Sequence, residues 1–274
     1  MTPLTLTLKA APRQRVDLTP LTPDRLQGLN RTAIAGISLQ SGNRKVAVNE
    51  IFAISGADTQ DIHIHGNCSK IDNIGAAMSR GSITVHGRAG QRVGAAMCGG
   101  CIMVHGDVGD RLGNGMNGGE IEVRGNAGDW VGAADPGEAH GMNRGTILVT
   151  GSAGSRIGER MRRGTIIVKR DVGDYCGVRM LAGTIVVLGS AGNFTGFGMH
   201  RGTIVLGRRP KNFGATFNSC GLVKMEFLRI LRGHLAHTYH GRVKLEGHSA
   251  LCELYCGDMS LGGKGELMIL RAGY

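Results

Sequence analysis

The chain has 274 residues and a formal charge of +11 at pH 7, and 47 of its residues are glycine, well above the ordinary share of about 7%. The glycines do not recur every third residue and only 6 prolines are present, which excludes a collagen helix, while 41% hydrophobic residues exclude a disordered chain. Aromatics at 4% leave the core to Ile, Val, Leu, Ala and Met, and 7 irregularly spaced cysteines without a long apolar run point to a reduced, soluble, cytoplasmic protein with no membrane partner.

Residues 1–60 read as an N-terminal cap. They hold an alternating Leu4-x-Leu6-x-Leu8 strand, four of the six prolines and a short helix near Asp24–Leu29. An imperfect rung, Ile62-His63-Ile64-His65-Gly66, opens the region 61–207. There Gly-x-Ile recurs at Gly81, Gly100, Gly119, Gly145, Gly164, Gly183 and Gly202, with gaps of 19, 19, 26, 19, 19 and 19. The long gap contains a turn-forming insert, Asp135–Gly141, after which Met142 resumes the period.

On that period the third position is Ile from Ile83 to Ile204, and the fifth runs from Val85 to Leu206. Alternate strand positions share a face, so both columns point into one interior. Columns of glycine follow and read as corners, and a column of methionine from Met78 to Met199 fills the remaining interior position. A 19-residue unit is too short for a strand-helix-strand crossover or a helix pair. The expected fold is therefore mainly all-β: a right-handed parallel β-helix of about seven 19-residue rungs between two caps. Residues 208–274 form the C-terminal cap. There Val223, Phe227, Ile230, Leu231 and Leu235 predict a helix laid against the open end of the prism, followed by strands at Val243-x-Leu245 and Leu267–Leu270.

No catalytic constellation emerges from this pattern, and no metal site is expected. His65, His86 and His105 fall in one outward column, but closing a zinc site requires a third or fourth ligand and no carboxylate or Cys occupies that column, so solvent-facing or interface histidines are expected. Cys98-x-x-Cys101 and Cys252-x-x-x-Cys256 read as structural thiols. Gly113–Gly118 matches G-x-G-x-x-G, but the repeat explains its glycines and the strand-to-helix context is missing.

Charge carries the functional signal. Residues 61–143 hold 6 Lys and Arg against 9 Asp and Glu, whereas residues 144–211 hold 12 against 3. Like charges on neighbouring rungs repel, and a polyanionic partner would relieve that repulsion. Arg144, Arg156, Arg160, Arg162, Arg163, Arg170 and Arg201 are the candidate contacts, with Lys169, Arg179, Arg208, Arg209 and Lys211 nearby. The alternative is a plain solvated basic face. Nucleic acid is set aside, because exposed aromatics do not interleave with the charge and no binding module is recognisable.

The Gly-x-Ile-x-Val-x-Gly array resembles the Gly-rich β-helix at the C-terminus of glutamate synthase. With the closing segment Gly257-Asp258-Met259-Ser260-Leu261-Gly262-Gly263-Lys264-Gly265-Glu266-Leu267, it is more similar to the C-subunit family of formylmethanofuran dehydrogenase. That resemblance implies a non-catalytic scaffold subunit whose metals and catalytic residues sit on other subunits: a zinc amidohydrolase-like, a formyltransferase and a dehydrogenase-like one. In the bacterial form the complex moves a formyl group from a tetrahydromethanopterin to a methanofuran analogue and hydrolyses it to formate; in the archaeal form it reduces CO2. The implied carrier is of the methanofuran type with an acidic polyglutamate tail, which the basic end of the prism would guide. A free-standing polyanion-binding β-helix and a glutamate-synthase-like channel domain remain as alternatives.

Overall fold

The computed structural model describes residues 2–210, 212–239, 243, 245 and 250–271. In chain order the N-terminal part holds β1 (Pro3–Leu8), β2 (Val16–Asp17), α1 (Pro23–Leu26), α2 (Arg31–Ala35), β3 (Ser38–Ser41), β4 (Arg44–Ala47), α3 (Val48–Ile51) and β5 (Phe52–Ser55). The repeats contribute β6 (Asp58–His65), β7 (Ile71–Asp72), β8 (Ser82–His86), β9 (Cys101–Val104), β10 (Asn117–Val123), β11 (Arg144–Val149), β12 (Thr165–Val168), β13 (Thr184–Val187) and β14 (Arg201–Leu206). The C-terminal part adds β15 (Asn218–Lys224), α4 (Glu226–Thr238), β16 (Leu251–Gly257), a 3-10 turn (Met259–Leu261) and β17 (Lys264–Leu270). The described chain is thus mainly β. One 13-stranded sheet runs in the order β15-β16-β17-β14-β13-β12-β11-β10-β9-β8-β6-β1-β5, beside a 4-stranded sheet β4-β3-β2-β7.

The period sets the register. Ile83, Ile102, Ile121, Ile147, Ile166, Ile185 and Ile204 are successive partners across parallel strands, so each repeat lies in register on the one before. A second line of contact runs through parallel bridges linking Cys68, Ala89, Val108, Ala127, Ala153, Val172 and Ala191. A third runs through the methionines, where the amides of Cys98, Asn117 and Arg162 donate to the carbonyls of Met78, Met97 and Met142 at 2.7–2.9 Å. Ile, Val, Ala and Met from these lines share one buried cluster, which explains how a chain poor in aromatics has a continuous core.

The ladder reaches past the period at both ends. Ile62 of β6 pairs with Ile83 at the front, and Leu267 of β17 pairs with Ile204 at the back. Asp258 of the closing segment holds that join: one carboxylate oxygen accepts the Gly198 amide and the other the Ser260 amide, both at 3.0 Å.

This corrects the expected place of the C-terminal helix. The open end is already occupied by β17, and α4 packs on the outside of the sheet instead, over Leu148, Ile167, Val186 and Val205. Those outward residues are at most 1% exposed and form an apolar strip that water would otherwise meet. The buried stripe of α4 is Leu228, Leu231 and Leu235; Ile230 is exposed and Val223 belongs to β15. Val243 and Leu245 are buried in the same cluster, and Lys244 between them lies outside the described residues, as does Lys211.

Glycine is only part of how the corners turn. Gly94 fits expectation: its φ is +67°, and an added Cβ would sit 2.3 Å from Ile121 Cδ1. Two residues earlier, however, a column of non-glycine residues is left-handed: Arg92, Arg111, Trp130, Arg156, Tyr175 and Phe194, with φ between 58° and 63°. Each such residue costs about 1–2 kcal/mol of strain. The compensation lies in the bonds the turn creates, since each amide in this column donates to a carbonyl one repeat on, as from Arg92 to Asp110 at 2.8 Å.

Candidate functional site

The seven candidate arginines do not form one cluster. Arg144, Arg163 and Arg201 occupy the same position in their repeats, at the entry to β11, β12 and β14, and all three are exposed. Arg162 is exposed beside Arg163 and faces a recess of about 340 Å3 lined also by Asn117, Asn143, His140 and Asp135. Arg160 turns away to donate to the Glu138 carbonyl at 3.0 Å, and Arg156 pairs with Glu159 at 3.3 Å. Arg170 lies past the other end of β12. The edge formed by Arg144, Arg162, Arg163 and Arg201 gains one cation that the period concealed: Lys264, the register partner of Arg201. Its signal in the sequence is Lys264-Gly265-Glu266-Leu267, which repeats the phase of Arg201-Gly202-Thr203-Ile204. Arginine ion pairs of the repeats involve Arg80, Arg88, Arg92, Arg111, Arg124 and Arg156, and among the described residues none involves the four edge arginines.

A neighbouring edge is built from stacked planar groups. Arg111 lies 5.1 Å from the Trp130 ring, Arg156 lies 5.2 Å from the Tyr175 ring, and Tyr175 stacks on Phe194 at 5.1 Å. The left-handed column above aims these side chains along one line, which sequence periodicity alone does not reveal. The insert straps onto this edge. Arg92 donates through both terminal nitrogens to the Asp135 carboxylate at 2.6 and 2.9 Å, and Asn114 donates to it at 3.1 Å. The Arg92 hydrogen bond holds the Asp135 carboxyl below the usual carboxylate range, against the opposing effect of partial burial. Asn114 is 1% exposed, and its Oδ1 has no hydrogen-bond partner among the described residues.

The histidine column is real, and a fourth histidine from the neighbouring outward position joins it. His65 stacks on His86 at 4.2 Å between ring centroids and His86 on His105 at 5.2 Å, while His63 Nδ1 lies 3.1 Å from His86 Nε2. A comparison restricted to residues one period apart misses His63, whose signal is the along-strand alternation Ile62-His63-Ile64-His65. Burial, then the neighbouring His65, His63 and His105, hold the His86 imidazole below its ordinary value.

The thiols are all free. Cys256 approaches Cys220 of β15 at 3.2 Å between sulfurs, not Cys252, and burial together with Cys220 pushes it up to about 11. Gly113–Gly118 runs through a corner of the stack, with φ of 64° at Gly113 and 58° at Gly115, and no helix follows.

The GXGXG motif family matches residues 55–235. The C-subunit of the formyltransferase/hydrolase complex Fhc from Methylorubrum extorquens is 36% identical over 89 residues, which cover 32% of this chain and 34% of that protein. The C-subunit of the tungsten-containing formylmethanofuran dehydrogenase 2 from Methanococcus maripaludis is 36% identical over 95 residues, covering 34% of this chain and 35% of that protein. The aligned stretch thus spans about a third of the length of these curated relatives. The fold carries the likeness over the full length. A chain in the crystal structure of the formyltransferase/hydrolase complex FhcABCD from Methylorubrum extorquens, solved with methylofuran, superposes with a TM-score of 0.88 and 35% identity, over 97% of this chain and 99% of that one. The chain therefore belongs to the GXGXG motif family, as a relative of the C-subunits of the formyltransferase/hydrolase complex and of formylmethanofuran dehydrogenase.

Proposed function

We propose that the chain is the non-catalytic scaffold subunit of a cytoplasmic formyltransferase/hydrolase complex, which transfers a formyl group from a tetrahydromethanopterin to a methanofuran analogue and releases it as formate. The observation that carries this reading is the whole-length likeness to a chain of the FhcABCD complex, at 35% identity. In this reading the stacked repeats are a right-handed parallel β-helix, closed by residues 1–60 and 208–274, and its outer faces dock a zinc amidohydrolase-like, a formyltransferase and a dehydrogenase-like subunit. Strand stacks of this kind offer long flat surfaces suited to such docking.

The basic edge then guides the carrier. Arg144, Arg162, Arg163, Arg201 and Lys264 are exposed cations along one edge, and a polyglutamate tail carries the complementary charge. Native mass measurement of the chain co-expressed with those partners tests the scaffold role: a stable hetero-oligomer is expected, and a chain that stays alone overturns it. In the assembled complex, charge reversal of Arg162 and Arg163 to Glu should weaken binding of a polyglutamate-bearing methanofuran-type carrier roughly tenfold at low salt, with the difference closing as salt rises. Unchanged affinity across the salt titration overturns the guide.

A further inference from the structure

The geometry points to a binding site for one divalent metal ion of the zinc class, held by His63, His65 and His86 on the outer face of β6 and β8. It stands apart from the carrier reading.

The backbone brings the three rings together. His63 and His65 are two residues apart on β6, so both leave the same face, and His65 is the register partner of His86 on β8. One ligating nitrogen from each ring lies within 4.8 Å of the other two. The closest pair, His63 Nδ1 and His86 Nε2, is 3.1 Å apart. Two nitrogens at about 2.0–2.1 Å from a tetrahedral zinc ion are separated by roughly 3.3–3.4 Å, so this pair already has nearly the required spacing.

The first of these ligands is also oriented. Asp61 Oδ2 lies 3.4 Å from His63 Nε2, and the Ser82 hydroxyl donates to the other Asp61 oxygen at 2.6 Å. A carboxylate at this distance favours the tautomer with the His63 proton on Nε2 and Nδ1 free to ligate, the arrangement by which a carboxylate supports a metal-bound imidazole. In that tautomer the metal-free contact has His86 Nε2 as donor and His63 Nδ1 as acceptor. With metal, the His86 proton resides on Nδ1 and both nitrogens become ligands, with no net proton released. His65 stacks almost parallel on His86, at 8°, and this half-buried ring must turn out of that stack for its lone pair to converge. Three imidazoles leave a fourth position open to water.

Zinc chloride titrated calorimetrically into the purified, metal-stripped full chain without an affinity tag tests the site. Saturable binding of one ion per chain is expected, weakened at least tenfold in His86→Ala and between tenfold and a hundredfold in Asp61→Asn, which removes no ligand. His234→Ala, on the exposed side of α4, should bind zinc as the unaltered chain does. His65→Gln with an unchanged circular dichroism spectrum gives an independent loss should His86→Ala perturb folding. Failure of zinc to saturate, or equal affinity in His86→Ala, His65→Gln and the unaltered chain, overturns the proposal and leaves a solvated imidazole stack.

Discussion

The two halves of the stack share an interior and differ outside. Inward strand positions of the repeats are Ile and Val up to the closing Leu206, in one register and one cluster. The outward position between them reads His63, Thr84, Met103 and Glu122 in the first half, all half-buried, and then Leu148, Ile167, Val186 and Val205 in the second, all buried under α4. The charge balance changes at the same place, and the Asp135–Gly141 insert stands on the boundary. Stacking demands only that the interior repeat. The outer face is free to diverge, so that one half becomes a packing surface for the chain itself and the other presents polar and ligating groups to its surroundings.

The same substitution made at equivalent positions tests that contrast most strongly. Ile167→Lys buries an ammonium under α4 and removes a fully buried side chain, for an expected loss of about 4 kcal/mol. Thr84→Lys places the same group on the open face and should change stability by no more than about 0.5 kcal/mol. Urea unfolding of both variants provides the comparison, and hydrogen exchange in α4 should rise only in the first. Equal losses would mean that the outer face is packed alike in both halves.

The strap at the boundary has a smaller, pH-dependent effect. Asp135→Asn keeps the shape but loses the charge that Arg92 grips, and because both side chains are about one-third exposed the expected cost is about 1 kcal/mol. The folded carboxyl is held low by Arg92, so its contribution is present above the unfolded carboxylate value of about 3.9 and is lost as pH falls through the folded one. Thermal unfolding from pH 6 downward should therefore show the two proteins converging below about pH 4. A constant difference down to pH 2 would place the effect in packing, not in charge.

How much of this was legible follows from what a period can encode. Inward Ile, Val and Met announce themselves because burial restricts each position to few residue types, and the array was readable down to register for that reason. The place of α4 was not. Its apolar stripe shows that it must bury a face, but only the outward run Leu148, Ile167, Val186 and Val205 shows which surface it covers, and that run is hidden among the inward residues of the same strands. Lys264 and His63 were missed for related reasons: one lies beyond the end of the regular period, the other is a neighbour along a strand and not across it. The division of the arginines between a free edge and the Arg92–Asp135 and Arg156–Tyr175 contacts depends on left-handed turns that non-glycine residues do not advertise.

Those turns allow one last, small comparison between the halves. Ala96 and Arg160 occupy the same column, with φ of 54° and 53°. A left-handed L-residue is strained by about 1–2 kcal/mol, and glycine relieves that at an entropic cost of about 0.5–1 kcal/mol in the unfolded chain. Ala96 is exposed, so little packing is lost with its methyl group and Ala96→Gly should stabilise by about 0.5 kcal/mol. Arg160→Gly relieves the same strain but loses the bond to the Glu138 carbonyl that ties down the insert, so its expected effect is near zero. Thermal unfolding of the two variants should rank Ala96→Gly above Arg160→Gly. Equal stabilisation by the two would mean that the Arg160 bond to the Glu138 carbonyl contributes nothing.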